Sequence, residues 1–330
     1  MKNLYAYFYP EVESCSSPLK EILGEILARP GKGVRSRLLF LAAKTGRPDE
    51  KRLHALAAGI EILHLATLVH DDLLDRGEVR RGCPALWKKY GDEAAVLVGD
   101  FLLAAAYKTL ACSAGVSGLE RINRLLKEMV EAELEQETNS FKFISEPLYL
   151  QRVEKKTARF FQTICELGAE AGGLSREKQD ALGKFGQNAG MVYQLLDDLL
   201  DIVGDPEVTG KPVFQDLKNG VLTLPYLLLR SKSGLKKILP VIREEKKVSP
   251  ALQKMVRHLL VEQDALLKTG QKIEQYFRQA EQSLLATGGL ETRPLLKFLE
   301  GIRLKAAQDL SRPEKSSSKR VKLWLNSFGR

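Results

Sequence analysis

The feature that most constrains the fold is a long apolar stretch with helical periodicity that ends in three aspartates. Between Asp49 and Asp75 the apolar residues recur at the spacing of one helix face, and the stretch closes with His-Asp-Asp-Leu-Leu-Asp. On an α-helix, Asp71 and Asp75 lie one turn apart on the same face, and Asp72 is rotated by about 100°. Three carboxylates at the end of an apolar helix repel one another and lose hydration. They therefore require solvent, basic partners or shared cations.

The same pattern of five residues, Asp-Asp-Leu-Leu-Asp, returns at Asp197–Asp201 after another stretch with few charges. A single acidic run is usually a solvated face, which is how we interpret the four glutamates from Glu131 to Glu137. Two clusters with identical spacing are a far more specific signal. They are the first indication of a functional site.

Composition describes a globular protein of ordinary type. The 330 residues are 44% hydrophobic and 28% charged, which is enough to bury a large core. No apolar run approaches the roughly 20 residues of a membrane span, and the first residues lack a signal-peptide pattern. We expect a cytoplasmic protein. The four cysteines have no C-x-x-C spacing, so we expect reduced thiols and no structural zinc site.

The net charge of +9 is concentrated at the end of the chain. Residues Arg303–Arg330 contain eight basic and two acidic side chains. A nucleic-acid footprint spread over a domain is therefore not expected. The basic tail, residues 313–330, is a candidate for peripheral contact with an anionic membrane, with a disordered or dimer-packed tail as the alternative.

Helical periodicity dominates the whole chain, and we find no run of alternating strand residues. The predicted fold is all-α: a single-domain bundle of long helices over residues 1–312. The predicted helices are Pro18–Ala28, Val34–Lys44, Asp49–Asp75, Asp92–Ala111, Gly118–Asn139, Glu146–Ala171, Ser175–Val203, one from Leu222 onward, Ser249–Gln263, Lys268–Thr287 and Arg293–Asp309.

Two acid clusters facing each other across a helical bundle would form a site of oxygen ligands, which favours Mg²⁺ or Mn²⁺ over zinc. Protein-bound Mg²⁺ is usually shared between carboxylates and a substrate phosphate, so the clusters predict a phosphorylated substrate. Basic residues follow both clusters or lie at a glycine-flanked helix start; they are Lys32, Arg35, Arg80, Arg81 and Lys211. Neither G-x-x-x-x-G-K-[ST] nor G-x-G-x-x-G occurs, which argues against a nucleotide triphosphatase or a dinucleotide enzyme.

The order of these motifs resembles the trans-type isoprenyl diphosphate synthases, the polyprenyl synthetase family, and most of all a bacterial long-chain member. The resemblance spans Gly31 to Pro225. The matching segments are Gly31–Arg35, Glu61–His64, Asp71–Asp75, Arg80–Gly82, Val98–Leu102, Lys156–Thr157, Tyr193–Asp201, Gly210–Lys211, Asp216 and Thr223–Pro225.

The resemblance implies a helical bundle around a central active-site cavity, usually in a homodimer. It implies up to three Mg²⁺ ions per site, with Mn²⁺ as an alternative, held by Asp71, Asp75, Asp197 and Asp201, with Asp72 and Asp198 behind them. The allylic diphosphate would be bound by Arg80, Lys156, Gln194 and Lys211, and isopentenyl diphosphate by Lys32, Arg35, His64 and Arg81. The oxygens of Thr157 and Gln194 would stabilise the allylic carbocation.

Three positions depart from the family pattern. Gly33 and Ser36 stand where G-K-R-x-R-P would place an arginine and the proline, which concerns the isopentenyl site. Val221 stands where the family often has a lysine two residues before the threonine of T-L-P, so one diphosphate contact is missing from the pattern.

Product length is predicted from the residues just before the first cluster. Short-chain relatives often carry bulky aromatics four and five positions before it, whereas this chain has Ala66 and Thr67, with Leu63 one turn deeper. We predict an open channel and a product of C30 or longer, a quinone side-chain precursor. Shorter farnesyl or geranylgeranyl synthesis is the alternative, since Leu63 or the Gly99–Ala111 helix could close the channel earlier.

Two other functions are less well supported by the residues. A terpene cyclase usually carries an Asn/Ser/Glu-type second metal motif, whereas Asp197–Asp201 repeats the first cluster. A non-catalytic partner subunit typically loses the acid clusters, and both are intact here. A catalytic subunit that works with a small regulatory partner stays an open alternative to the homodimer.

Overall fold

The structure, a computed structural model, is helical almost throughout, which confirms the predicted all-α fold. The residues that it describes are 4, 6–29, 31–206 and 212–310. Lys211 and the basic tail 313–330 therefore lie outside the described residues. Within the described ranges, β-structure is limited to an antiparallel pair of two-residue strands, β1 (Val79–Arg80) and β2 (Cys83–Pro84).

In the first half of the chain the helices are α1 (Tyr9–Glu13), α2 (Ser17–Leu27), α3 (Val34–Ala43), α4 (Glu50–Leu74), α5 (Leu86–Tyr90) and α6 (Asp92–Thr138). Helix α4 is capped by Asp49, whose carboxylate accepts the backbone N–H of Arg52. Helix α6 covers two predicted helices, which meet at Gly115 with a non-helical φ of 70°. The predicted break between the two helices is therefore present, as a sharp kink at Gly115.

In the second half the helices are α7 (Glu146–Val153), a π-helical turn (Glu154–Ala158), α8 (Arg159–Ala171), α9 (Arg176–Val203), α10 (Gln215–Lys218), α11 (Leu224–Leu227), α12 (Ser233–Glu245), α13 (Pro250–Glu262), α14 (Ala265–Leu285) and α15 (Arg293–Leu310). The helix predicted from Leu222 onward is only the short α11, and α12 is a separate element. The π turn interrupts the predicted continuous helix.

The contacts divide the chain into two compact units. Unit 1 comprises Met1–Arg124 and Thr163–Leu182, and unit 2 comprises Leu125–Gln162 and Gly183–Arg330. The first acid cluster belongs to unit 1 and the second to unit 2. The prediction of one helical domain over residues 1–312 stays a prediction.

In unit 1 the buried helix α4 forms the centre of the core. It contributes fully buried aliphatic side chains such as Leu53, Ile60 and Leu63, and α3 packs alongside it. Gly168 permits α8 to pass close to α3, because a Cβ there would lie 2.7 Å from the Leu39 carbonyl oxygen. This packing fixes α8 against α3, which in turn packs on α4.

In unit 2 the π turn packs directly against α9. A Cβ on Gly190 would lie 2.7 Å from the Cα atom of Ala158, so only glycine allows this approach. The Phe161 ring lies 5.4 Å from the ring of Tyr193, centroid to centroid. The close approach places the π turn beside the second acid-bearing helix.

Two helices of the described chain, α4 and α6, are long and apolar enough to span a membrane by length and composition. The expectation that no apolar segment is that long is therefore wrong by this criterion. In the most apolar window of α4, 67% of the residues are buried, as in the core helix of a globular protein; the share in α6 is 39%.

Candidate active site

The first acid cluster ends helix α4 and separates its three carboxylates. Asp71 is half-buried and Asp75 is exposed, whereas Asp72 is 6% exposed. Asp75 is the C-terminal cap of the helix, where its backbone N–H bonds the Asp71 carbonyl. The two flanking aspartates therefore face solvent more than the central one.

The Asp72 carboxylate pairs with Arg80, which lies on strand β1 of the short hairpin. The Arg80 guanidinium donates from Nε to both Asp72 carboxylate oxygens at 2.9 and 2.8 Å, and its Nη2 makes a further short bond. This two-pronged geometry fixes the position of Arg80 and compensates the buried negative charge. Sequence spacing placed both residues near the cluster but did not show that they pair.

Three arginines act on His64, which lies about two helical turns before the cluster. Arg35 Nη1 lies 2.7 Å from His64 Nε2. Burial, together with the positive charges of Arg35, Arg81 and Arg80, holds the pKa of His64 well below its usual 6.5. A neutral histidine among guanidinium groups marks a strongly positive region that would bind an anion such as a diphosphate.

The start of α3 brings Arg35 to this region, and Lys32 lies three residues before it in the chain. Gly33 is the N-terminal cap and adopts the left-handed conformation, with φ of 62°. The buried carboxylate of Glu61 accepts the backbone N–H of Ser36 at 2.8 Å, in the first turn of α3. The departures at Gly33 and Ser36 are thus accommodated by a left-handed cap and a buried side-chain contact.

Helix α9 carries the second cluster, and its central aspartate is again the most buried of the three. Asp197 is exposed and Asp201 half-buried, whereas Asp198 is 3% exposed. The Tyr149 hydroxyl donates to Asp198 Oδ2, and the Gln194 side-chain amide donates to Asp198 Oδ1 at 2.9 Å. Burial, then the charge of Asp201, raises the pKa of Asp198 well above its usual 3.8.

The contact chain continues from Gln194 to the π turn. Thr157 Oγ1 donates to Gln194 Oε1 at 2.9 Å. Lys156, one residue earlier, pairs with Glu133 at 2.5 Å. The structure therefore joins Thr157 to Gln194 in unit 2, with Lys156 directly before Thr157 in the chain.

Asp201 is tied to the start of α10. Its carboxylate oxygens accept the backbone N–H groups of Gln215 and Asp216 at 2.9 and 3.2 Å. Burial and the neighbouring charges of Asp201, Asp198 and Asp197 raise the pKa of Asp216 well above its usual 3.8, while Lys156 opposes this. Asp216 thus adds a fourth carboxylate to the surroundings of the second cluster.

Sequence reasoning missed Tyr149 and Glu133 as parts of this array. Tyr149 lies seven positions before Lys156, or about two helical turns, so helical spacing alone would have placed it on the same side. Glu133 belongs to the acidic run that was interpreted as a solvated face, yet its side chain is only 24% exposed and is paired. Pairing across helices is not visible in a linear pattern.

The residues proposed to set product length lie within unit 1. Leu63 and Ala66 are fully buried, and Thr67 is half-buried with its hydroxyl donating to the His64 carbonyl at 2.9 Å. Their effect on product length stays a prediction.

The carboxylates fit a hard divalent cation through their chemistry. The less buried side chains of Asp71, Asp75 and Asp197 offer only oxygen, the donor that Mg²⁺ prefers. Among the described residues, no three His, Cys, Asp or Glu side chains are close enough to hold a metal ion by themselves. Protein sites for Mg²⁺ commonly use one or two carboxylates and complete the shell with waters and substrate phosphates.

Comparisons with a family model and with related proteins point to the same family. A family model described as polyprenyl synthetase matches residues 16–259. A geranylfarnesyl diphosphate synthase of Aeropyrum pernix is 35% identical over 283 residues, covering 82% of this chain and 88% of the relative. Component 2 of the heptaprenyl diphosphate synthase of Geobacillus stearothermophilus is 34% identical over 240 residues, covering 72% and 75%.

Among solved structures, a polyprenyl synthase from Caulobacter crescentus CB15, complexed with calcium and isoprenyl diphosphate, superposes with a TM-score of 0.82 at 29% identity. The match covers 94% of each chain. The helical fold and the two carboxylate-rich helix ends thus define a prenyltransferase. The chain belongs to the polyprenyl synthetase family, whose members are trans-prenyl diphosphate synthases that depend on a divalent metal.

Proposed function

We propose that this protein condenses isopentenyl diphosphate with an allylic diphosphate to make a polyprenyl diphosphate of C30 or longer, with Mg²⁺ as its cofactor. The observation that carries the proposal is the positive region around His64, built from Arg35, Arg80 and Arg81, close in sequence to the carboxylates of the half-buried Asp71 and the exposed Asp75. Metal-binding carboxylates beside guanidinium groups are what a diphosphate substrate requires.

Asp71, Asp75 and Asp197 would hold Mg²⁺, with Asp201 as a further ligand. When bound, the cation neutralises the diphosphate and makes it a better leaving group. Lys156 adds positive charge from the π turn, and Lys211 is proposed for the same substrate. Lys32, Arg35, His64 and Arg81 would bind isopentenyl diphosphate, and the neutral His64 can donate a hydrogen bond without adding charge.

As the allylic C–O bond breaks, positive charge develops on the hydrocarbon. The Oε1 atom of Gln194 and the Oγ1 atom of Thr157 are acceptor atoms that stabilise such charge when they face it. The isopentenyl double bond then attacks the cation, and the released diphosphate takes the proton. Water must be excluded, because it would quench the cation.

For product length, the small side chains of Ala66 and Thr67 support a long channel. The two relatives described above are named for geranylfarnesyl and heptaprenyl diphosphate, so family membership alone leaves the length open. Product chromatography of the wild type against Ala66→Phe and Thr67→Phe tests it. Both variants should give shorter products; wild-type length in both would refute this channel model.

We further propose that the protein works in the cytoplasm as a homodimer. The Geobacillus relative is named as one component of a synthase, which makes a small second subunit the main alternative. Contact of the basic tail with an anionic membrane stays part of the proposal, and liposome sedimentation of the full chain against a chain ending at Ser318 tests it. Equal binding of the two chains would refute membrane contact.

The central experiment incubates the purified protein with labelled isopentenyl diphosphate, Mg²⁺ and each allylic primer, followed by product sizing. Turnover of an allylic diphosphate into longer products is expected, and it should vanish with EDTA and return with Mg²⁺. Turnover only after addition of host lysate would indicate a heteromer. Cyclised hydrocarbon in place of a diphosphate would indicate a terpene cyclase.

A further inference from the structure

The buried phenol of Tyr149 has no role in the chemistry described so far. Its side chain is 1% exposed, and its hydroxyl donates to Asp198. The guanidinium of the buried Arg152 lies 5.5 Å from the Tyr149 ring centroid, which adds a cation–π contact. Because the Tyr149 hydroxyl donates to Asp198, it limits the hydrogen bonds that this carboxylate can make to other groups.

Asp198 in turn decides how the Gln194 amide is oriented. A carboxylate can only accept hydrogen bonds, so the side that Gln194 turns toward Asp198 must be its NH₂ group. The 2.9 Å contact from Gln194 Nε2 to Asp198 Oδ1 has this sense. The carbonyl oxygen of the same amide then points to Thr157, at 2.9 Å.

We propose that Tyr149 is a positioning residue for the condensation reaction: it locks Asp198, and through Asp198 it keeps the oxygen of Gln194 available to the developing allylic cation. The role rests on the proposed function, because only a cation needs that oxygen. With its second oxygen held by Tyr149, Asp198 keeps the Gln194 amide from turning over. An inverted amide would present its NH₂ group, with positive partial charge, where an acceptor is needed.

The test replaces Tyr149 by phenylalanine, which retains the ring and removes only the hydroxyl. We expect kcat to fall by about 10- to 100-fold, the cost of misplacing a catalytic group, with KM for both substrates within about twofold. The matched control is Tyr226→Phe, since Tyr226 is fully buried in the same unit and its hydroxyl has no hydrogen-bond partner among the described residues. The control should keep wild-type kcat.

A double-mutant cycle separates positioning from a general structural effect. Tyr149→Phe should cost nothing further in a Gln194→Leu background, because the group that it positions is already gone. Losses that multiply, or a wild-type kcat in the single variant, would overturn the proposal. If Tyr149→Phe folds poorly, Asp198→Asn is the second variant to test. It keeps the phenol but weakens the hydrogen bond that orients the Gln194 amide, and it should lower kcat in the same way.

A readout that does not depend on activity keeps the two proposals apart. In protein labelled with ¹⁵N in glutamine side chains, the Gln194 amide signal is identified by its loss in Gln194→Leu. It should shift strongly in Tyr149→Phe and stay unchanged in Tyr226→Phe. An unshifted signal would overturn the role of Tyr149 whatever the enzyme does, whereas an inactive wild type with a shifted signal would overturn the proposed function alone.

Discussion

The two acid clusters share one sequence pattern but compensate their buried central aspartate by different means. In unit 1, Asp72 is paired with the guanidinium of Arg80. In unit 2, Asp198 receives hydrogen bonds from two neutral groups, the Tyr149 phenol and the Gln194 amide. One site is neutralised by opposite charge, and the other is only solvated by dipoles.

Two acid clusters with identical sequence spacing can therefore lie in different electrostatic environments. In the unit 2 cluster, burial and neighbouring carboxylates raise the pKa values of both Asp198 and Asp216, and Lys156 opposes the shift of Asp216. Such a cluster gains the most from binding a cation. The unit 1 cluster instead supplies a fixed arginine that is itself proposed to bind substrate.

The largest effect should come from the flanking aspartates, where the two clusters are expected to behave alike. Asp71→Asn and Asp197→Asn each remove a carboxylate that we propose to bind Mg²⁺, and each should lower kcat by about 10²- to 10³-fold, similar to the loss of one strong electrostatic stabiliser. Steady-state kinetics over a range of Mg²⁺ concentrations measures this. If only one variant were impaired, the clusters would not share a metal-binding role.

Substitutions of the two central aspartates should differ in their effect on the free energy of unfolding. Asp72→Asn leaves Arg80 without its charged partner and should cost about 1–2 kcal/mol, a reduced figure because the Arg80 side chain is 38% exposed. Asp198→Asn removes a buried charge that repels Asp201 and should cost less, or stabilise the fold. Urea denaturation without metal compares them. Equal losses in the two variants would contradict the contrast drawn between the clusters.

The smallest effect concerns the pH dependence of unit 1. The pKa of His64 is lowered by burial and by Arg35, Arg81 and Arg80, so the unfolded chain takes up a proton near pH 6.5 that the folded chain does not. Stability should therefore decline as the pH falls below about 6.5, with a slope from this group of at most about 1.4 kcal/mol per pH unit.

Replacing the histidine isolates that contribution. His64→Gln retains an acceptor toward Arg35 and cannot titrate, so its stability should fall less steeply than that of the wild type between pH 7 and pH 5. Denaturant unfolding at a series of pH values gives the two slopes. His258→Gln, at a side chain that is 76% exposed, controls for the substitution itself. Parallel curves for wild type and His64→Gln would refute the lowered pKa.

Much of the fold was predictable because helix signals are local. The α4 boundaries follow from the Asp49 cap and the turn after Asp75, and α13 begins where Ser249 and Pro250 predict it. Helix α12 was not predicted as a separate element, and it contains Pro240, although proline normally breaks the backbone ladder. Its buried Leu235, Leu239 and Ile242 outweigh that cost.

The residues of the candidate site could be proposed from the sequence, but their hydrogen-bond partners could not. The acid clusters, Lys156, Thr157 and Gln194 were found from spacing and family order. The bonds from Arg80 to Asp72 and from Tyr149 to Asp198 join separate elements, which a linear pattern does not place next to one another. The π turn was also missed, since it differs from an α-helix by a single extra residue within a turn.

That extra residue makes Glu154–Ala158 a local widening of the helix. Deleting one residue of the turn would restore the regular ladder and leave α8 facing almost as before, because the wider turn takes up its extra residue with little net rotation. The positions within the turn would change instead, and with them the contact of Thr157 with Gln194 and the fit of Ala158 against Gly190. The number of residues in this turn therefore sets where the Thr157 hydroxyl lies, in addition to the identity of the side chain.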